Sequence, residues 1–291
     1  MRRLVLGRAL LLLSTLVLFL AVGVALFLLA RSHYLPSSGQ FWNVPGPNGG
    51  VFFGATDPQD LAARANVPLL VLVLGAALNS AFLALLAIGS ALLLGVPFGF
   101  WLAIHAPRRV AEVLRSVTNV GVALPAFFIT FLLQVAAVEL SKSAGRTLVP
   151  TIGFGIDSHL IIPVLALAAA PFAYVTRLVA LGATDLNARD FARTARAKGL
   201  SERRVVYGHL VPNMVGALSE AALGGARLVL GGLVIVEYLV SWPGLGYLLL
   251  RAMKLQDGAV LLVGIAILGL LFLLLERGID LATERTGTVS G

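Results

Sequence analysis

Hydrophobic residues occur along the chain in six long runs, and short polar segments separate these runs. Each run has about 18 residues or more, which is enough for an α-helix to cross a hydrocarbon layer about 30 Å thick. The pattern predicts an all-α, polytopic membrane protein with six transmembrane helices, at residues 9–30, 79–104, 117–138, 160–179, 213–240 and 258–275.

Hydrophobicity alone does not define the role of the first run or the start of the second. The run at 9–30 follows Arg2, Arg3 and Arg8 and is longer than the apolar core of about 7 to 15 residues in a secretory signal, so it predicts a retained first span. Residues 68–78 are also apolar, and together with the second run they are too long for one straight transmembrane helix. They therefore predict a separate interfacial segment on the outer side.

The predicted domain organisation follows from these spans. A first transmembrane helix and a short extracytoplasmic loop occupy residues 1–67, and a core of five transmembrane helices occupies residues 68–285. Within that core, the segment 186–212 is the one substantial cytoplasmic loop. Residues 286–291 form a C-terminal tail.

Composition agrees with a membrane protein. Of 291 residues, 58% are hydrophobic and 12% are charged, whereas soluble domains carry about 25% charged residues. Most of the surface must therefore face lipid or other helices. The absence of cysteine excludes disulfides, thiolate metal sites and cysteine nucleophiles.

The net charge of +8 has a membrane explanation. When the N-terminus is placed in the cytoplasm, most of the 22 Lys and Arg residues fall on the cytoplasmic side of the six spans. Both termini are therefore predicted to be cytoplasmic, and the basic character gives no reason to expect nucleic acid as a partner.

The sequence of the loop at 186–212 predicts two short helices separated by a turn. Asn187 is a candidate N-cap, and Gly199 is placed to end the first helix in the left-handed conformation. A second helix starts at Ser201 and continues to Leu210, and Pro212 breaks or kinks the backbone before the fifth span. Three interpretations of its charges stay open: a solvated basic face, a DNA-binding helix-turn-helix, and a docking surface for a cytoplasmic partner.

Four sequence segments resemble one family of transport proteins. Residues 192–204 (Ala-Arg-Thr-Ala-Arg-Ala-Lys-Gly-Leu-Ser-Glu-Arg-Arg) resemble the EAA loop of binding-protein-dependent ABC transporter permeases of the dipeptide, oligopeptide and nickel group. Arg193-Thr194-Ala195 stands at the triplet, without its Glu, and Gly199 at the glycine. The other segments are Asn79-Ser80 with residues 94–99, residues 159–163, and residues 237–246. The resemblance covers about residues 75 to 280 and implies a MetI-like permease fold.

The resemblance also implies how the chain is driven. The sequence has no Gly-x-x-x-x-Gly-Lys-Ser/Thr loop, so ATP and Mg²⁺ are expected on separate ATPase subunits, and no cofactor is expected on this chain. Ala195 and Gly199 are hypothesised to permit close approach of the ATPase, and Phe191, Leu200 and the arginines to fix its register. The full set of expected coupling residues is Phe191, Arg193, Thr194, Ala195, Arg196, Lys198, Gly199, Leu200 and Pro212.

The partners implied are a second permease chain, homologous or identical, two cytoplasmic ATPase subunits, an extracytoplasmic solute-binding protein and membrane lipid. The implied location is the inner membrane, and the implied cargo is peptides or a related small solute such as a nickel complex. A secondary transporter or channel without an ATPase remains the alternative. No catalytic constellation and no metal site is predicted, because the four histidines lie near the ends of different spans.

Two groups of residues are candidates for the translocation path or a gate. In span five, Glu220 and Arg227 share one helix face with several glycines, although a charge near the bilayer centre costs about 2.5 to 3.5 kcal/mol. Two interpretations stay open: these charged residues line the translocation path, or they form ion pairs with each other or with a neighbouring helix. At the outer end of the same span, the sequence predicts an irregular turn. Three roles stay open for it: a gate, a contact for the binding protein, or an interfacial anchor. Its candidate residues are Glu237, Trp242, Pro243, Gly244 and Gly246.

Overall fold

The computed structural model of this protein describes residues 69–255 and 257–287. The predicted first span and the loop up to residue 67 lie outside the described residues, as does the end of the tail. Within the described residues every regular element is helical and no strand is present. The α-helices are α1 (Leu69–Ile104), α2 (Arg108–Ala123), α3 (Ala126–Ala144), α4 (Ile161–Ala188), α5 (Asp190–Ala197), α6 (Glu202–Val205), α7 (Val211–Asn213), α8 (Val215–Leu239), α9 (Leu245–Leu255) and α10 (Gly258–Gly287).

Helix α1 overturns the prediction of a separate outer segment at 68–78. It is one helix of 36 residues, about 54 Å long at 1.5 Å per residue. The thickness of the apolar layer limits the length of helix that lipid surrounds and not the total length of the helix, so one helix of 36 residues is compatible with a membrane span. Its first turns are held by packing, because Leu72, Val73 and Ala76 are buried against α9.

The third predicted span, 117–138, is present with other bounds, because the chain breaks within the predicted range and the membrane-length helix is Ala126–Ala144. Helix α2 ends at Ala123 and α3 begins at Ala126. Leu124 adopts an extended conformation (φ −73°, ψ 124°), as expected before Pro125, whose ring disfavours helical geometry in the preceding residue. Residues 117–123 belong instead to α2, a helix whose charged residues cluster at its N-terminal end.

The second, fourth, fifth and sixth predicted spans correspond to helices α1, α4, α8 and α10; α1, α4 and α10 are longer than predicted, whereas α8 is slightly shorter. Helix α4 continues from Ile161 to Ala188 after a 3₁₀ turn at Ser158–Leu160, and Pro171 lies inside it. Among the described residues, α1, α3, α4 (with its preceding turn) and α8 are long and apolar enough to cross a membrane, and α10 has a shorter apolar part, Gly258–Leu274.

Helix α4 lies at the centre of the bundle and packs against α1, α2, α3 and α8. Gly95 and Gly99 bring α1 very close to it. A Cβ atom at residue 99 would lie 2.7 Å from Val179 Cβ and 2.8 Å from the Thr176 carbonyl oxygen. Small residues four apart permit this close approach of membrane helices. The 94–99 motif of the sequence therefore serves helix packing.

Candidate functional site

The loop between α4 and α8 has the predicted two-helix form. Helix α5 ends at Ala197, and Gly199, two residues later, has a φ of +75°, a conformation that glycine adopts at little cost. Helix α6 follows after Ser201, and a π-helical turn at Val206–Leu210 leads into α7. The prediction of Asn187 as the N-cap is wrong. Because α4 continues to Ala188, Arg189 occupies the N-cap position of α5.

One face of this loop packs on the chain's own helices. Ala192, Ala195, Val205 and Leu210 are buried together, and these four side chains form the loop core. The partly buried side chains around that core come from α1, α4 and the loop itself, namely Ile104, Leu186, Phe191 and Leu200. Ala195 is only 5% exposed, so it contacts its own chain and has no surface for a partner. The loop is therefore a packed extension of the membrane helices.

Arg196 connects three segments of the loop. Its Nε donates to Glu202 Oε2 at 3.0 Å and its Nη2 to Glu202 Oε1 at 2.7 Å. The same guanidinium donates to the side chain and the carbonyl oxygen of Asn187 at the end of α4. The hydrogen bond from Arg196 lowers the pKa of Glu202, and the bond to Glu202 raises the pKa of Arg196. Together these three residues form the arginine clamp, which ties α4, α5 and α6 into one unit.

The opposite face of α5 is exposed. The side chain of Arg193 is 73% exposed, and Thr194, Ala197, Lys198 and Gly199 are exposed beside it. Nothing lies within 4 Å of a Cβ atom placed on Gly199. These five residues form the loop's outer face. Ala197 was missed by the sequence analysis, although it lies four residues after Arg193 and therefore on the same side of the helix.

The structure thus divides the predicted coupling residues. Arg193, Thr194, Lys198 and Gly199 lie on the outer face, whereas Ala195 is buried. The remaining members are half-buried, namely Phe191, Arg196, Leu200 and Pro212.

At the other end of the bundle, Glu237 organises the turn between α8 and α9. Its side chain is fully buried. Glu237 Oε1 accepts a hydrogen bond from Ser80 Oγ at 2.6 Å, and Oε2 accepts one from the Gly246 amide at 2.7 Å. The Leu245 amide donates to Ser80 Oγ at 2.7 Å. A buried carboxyl group with these partners fixes the turn against α1.

Asn79 completes this attachment. Its side-chain Nδ2 donates to the Pro243 carbonyl oxygen at 2.8 Å, and its backbone carbonyl oxygen accepts a hydrogen bond from Trp242 Nε1 at 3.3 Å. Trp242 is fully buried, and the centroids of its ring and of the Phe154 ring are 4.7 Å apart. Two motifs that are more than 150 residues apart in the sequence therefore form one hydrogen-bonded unit, which we call the outer network.

The turn is also tight. A Cβ atom on Gly244 would collide with the Glu237 carboxylate, and one on Gly246 would collide with the backbone of Val234. The predicted gate residues therefore lie together, but they form a buried, closely packed turn and not an open passage in this structure.

One face of α8 is uncovered along most of its length. Gly216, Glu220, Arg227 and Gly231 are exposed, whereas Val229 on the opposite face is fully buried. Gly224, between them, contacts the Tyr174 ring from α4 and is half-buried. The stripe predicted from the helical period is thus a real surface of this chain, and we call it the α8 stripe.

The described residues contain no group of three His, Asp or Glu side chains able to hold a metal ion. Of the histidines, His105 and His209 lie at the end of the bundle with the loop, and His159 lies at the opposite end. His159 Nδ1 is 2.6 Å from Asp157 Oδ1. The His159 backbone amide donates to the same oxygen at 2.9 Å. This backbone bond first, and then the side-chain bond, lower the pKa of Asp157, and both stabilise the turn that enters α4.

These features define an integral membrane protein of packed helices, with a compact basic loop at one end and a buried polar turn at the other. Residues 95–286 match the model of the family described as binding-protein-dependent transport system inner membrane component, and the chain belongs to that family. The resemblance inferred from the sequence motifs is confirmed.

Curated relatives agree with this family. The chain is 34% identical over 192 residues to the glutathione transport system permease protein GsiC of Shigella flexneri serotype 5b (strain 8401) and to that of Escherichia coli (strain K12). It is 33% identical over 192 residues to the protein of the same name from Salmonella choleraesuis (strain SC-B67). Each alignment covers 65% of this chain and 60% of the relative.

Proposed function

We propose that this chain is a permease subunit of an ATP-driven ABC importer in the inner membrane. It forms part of the path for a solute that an external binding protein delivers. The observation that carries the proposal is the loop between α4 and α8, which is packed rigidly on the membrane helices while its outer face is small, basic and exposed. A secondary transporter has no need of such a loop.

Rigid packing supports a mechanical role for the loop. A force applied to α5 reaches α4 through the arginine clamp and reaches α1 through the loop core at Ile104. We assign Ala195 and Arg196 to this internal connection. The contact with the ATPase is assigned to Arg193, Thr194, Ala197, Lys198 and Gly199, the five residues of the outer face. Closure of two ATPase subunits around ATP and Mg²⁺ then moves the loop and the helices as a rigid body.

The assembly we propose contains a second permease chain, two ATPase subunits and an extracytoplasmic binding protein. ATP hydrolysis takes place on the ATPase subunits, and this chain performs no chemical reaction. Both termini and the loop lie in the cytoplasm. The α8 stripe supplies the wall of the path, because its charged residues are disfavoured in lipid and are exposed in the single chain.

The solute we propose is a peptide or a compound of similar size. The curated relatives are named as permeases for glutathione, a small peptide. The polar stripe of α8 suits such a solute better than an apolar one. A nickel complex is the second candidate of the family resemblance, and no cluster of metal-binding side chains within the described residues favours it.

The experiment that tests the proposal adds bulk to the outer face of the loop. Ala197→Trp places a large side chain on an exposed position of α5, whereas Ser143→Trp adds the same side chain to an exposed position at the opposite end of the bundle. We expect the first variant to insert and fold normally but to lose co-purification of the ATPase and ATP-dependent uptake. We expect the second to retain both. Solute uptake by this chain without any ATPase subunit would contradict the proposal and support the alternative of a channel or secondary transporter.

A further inference from the structure

Two tyrosines and two cationic side chains meet where α8 ends and α9 lies beside it. The rings of Tyr238 and Tyr247 have centroids 5.8 Å apart. Lys254 Nζ lies 4.8 Å from the centroid of the Tyr238 ring and donates a hydrogen bond to its hydroxyl group. The Arg251 guanidinium lies 5.8 Å from the centroid of the Tyr247 ring. These four residues are the tyrosine–cation cluster.

Among the side chains that the structure describes, no carboxylate forms an ion pair with this cluster. None of the ion pairs formed among residues 69–255 and 257–287 involves Arg251 or Lys254. Asp257, the nearest acidic residue in sequence, instead accepts hydrogen bonds from the amides of Ala259 and Val260 at the start of α10. The carboxylate of Glu237 is occupied in the outer network. Two positive charges therefore have no acidic partner in this part of the chain.

The cluster continues the α8 stripe. Tyr238 follows Arg227 by eleven positions, which places the two side chains within about 20° on the helix and about 16 Å apart along it. Glu220, Arg227 and Tyr238 therefore lie on one line. Tyr238 is half-buried, and Lys254 is exposed beside it at the end of the bundle opposite the cytoplasmic loop. A solute that follows the stripe inward meets the cluster before it meets Arg227.

We propose that the tyrosine–cation cluster is a receiving site for the carboxylate of an anionic or zwitterionic solute. An ammonium and a guanidinium group give charge-assisted hydrogen bonds to a carboxylate, which are about twice as strong as neutral ones. The Tyr238 hydroxyl adds a hydrogen-bond donor once Lys254 turns to the ligand. Arg227 offers the same carboxylate a second cationic position further along the stripe. The inference rests on the proposed transport function, and it specifies the chemistry at the outer entrance.

The test compares two pairs of substitutions in the complete transporter, reconstituted in vesicles with its ATPase subunits and binding protein. The double variant R251Q/K254Q removes both charges of the cluster. The matched control K142Q/R146Q removes two charges from the same end of the bundle, at exposed positions of α3 and the turn after it, where Lys142 already pairs with Glu139. The probe is a mixture of di- to pentapeptides, offered as free acids and as C-terminal amides, with uptake read by mass spectrometry of the vesicle contents.

We expect R251Q/K254Q to lower uptake of the free acids about tenfold, the effect of losing one good charge-assisted hydrogen bond. Uptake of the amides and stimulation of ATP hydrolysis by the loaded binding protein should not change. The control should transport like the unmodified chain, and R251K should retain most of the preference for acids. Tyr238→Phe should give a smaller loss of the same kind.

Three results would overturn the inference while leaving the transport function intact. The first is equal loss of acid and amide uptake together with weaker stimulation by the binding protein, since that identifies the cluster as a docking contact. The second is unchanged uptake of acids in R251Q/K254Q. The third is an effect seen only in vesicles that contain anionic lipid, because the anion is then a lipid headgroup. A complex in which unmodified protein transports no probe would refute the proposed function itself, and the inference with it.

Discussion

The two ends of the bundle are stabilised in opposite ways. At the end with the loop between α4 and α8, the arginine clamp is partly exposed to water, with side chains 33% and 44% exposed for Arg196 and Glu202. At the other end, Glu237 is fully buried and bonded to neutral donors. A partly exposed ion pair adds little stability. Removal of a buried carboxyl group, in contrast, leaves its buried donors without an acceptor and lowers stability more. The comparison indicates that the end with Glu237 is fixed in the fold, and it supports the contact role that we propose for the end with the loop.

The largest effect is expected for Glu237→Ala. The substitution leaves the Ser80 hydroxyl and the Gly246 amide buried without an acceptor, and each orphaned buried donor costs about 1 to 3 kcal/mol. We expect a strongly lowered melting temperature in detergent, followed by intrinsic tryptophan fluorescence, and poor accumulation in the membrane. Glu220→Ala, at an exposed position of α8, should melt like the unmodified chain. Equal melting of both variants would contradict the role of the outer network.

A smaller loss is expected when bulk is added between α1 and α4. Gly99→Val forces a side chain against Val179 and the Thr176 carbonyl oxygen, and overpacking of this kind costs about 1 to 3 kcal/mol. Gly231→Val adds the same side chain where nothing lies within 4 Å and is the control. Thermal melting should separate the two variants, and a Gly99→Val protein as stable as the control would show that the helices separate easily.

The smallest effect on stability is expected for Glu202→Gln, because the clamp is partly exposed and adds about 1 kcal/mol or less. Folding lowers the pKa of Glu202 below its ordinary value of 4.5. The stability that the carboxylate adds is therefore present above pH 4.5 and is lost as the pH falls through the lowered pKa. The difference in melting temperature between unmodified protein and the variant should be measurable at pH 7 and vanish in strong acid.

The matched control for that pH dependence is Asp185→Asn, since Asp185 pairs with Arg189 at an exposed position. It should change the melting temperature little at either pH. A Glu202→Gln difference that persists in strong acid would show that packing, and not the ionised pair, holds the loop.

Sequence patterns predicted much of this fold because long apolar runs and Gly199 each have one dominant structural outcome. They failed where two rules compete. Around Pro125, the apolar character of residues 117–138 favours one span, but the restriction that proline places on Leu124 prevails. The length of α1 was misjudged because tertiary packing against α9, a helix that the sequence analysis did not predict, holds its first turns.

For the candidate site too, the sequence predicted the motifs but not how they contact one another. The motifs at residues 79–80 and 237–246 were found separately, but only the folded chain shows that they bond to each other through Asn79 and Glu237. In the loop, the motif alone gives no information on which alanine faces outward. The helical period, taken together with the buried positions of Ala192 and Ala195, selects Ala197.

The most direct test of the coupling proposal uses single cysteines, which are uniquely reactive because the chain has none of its own. Ala197→Cys and Ala195→Cys are made separately, and each is treated with a short thiol–amine cross-linker in the presence of the ATPase subunits. We predict that the residue 197 variant cross-links to the ATPase and that the residue 195 variant, buried in the loop core, does not. Cross-linking at residue 195 alone, or at neither position in an active complex, would contradict the account.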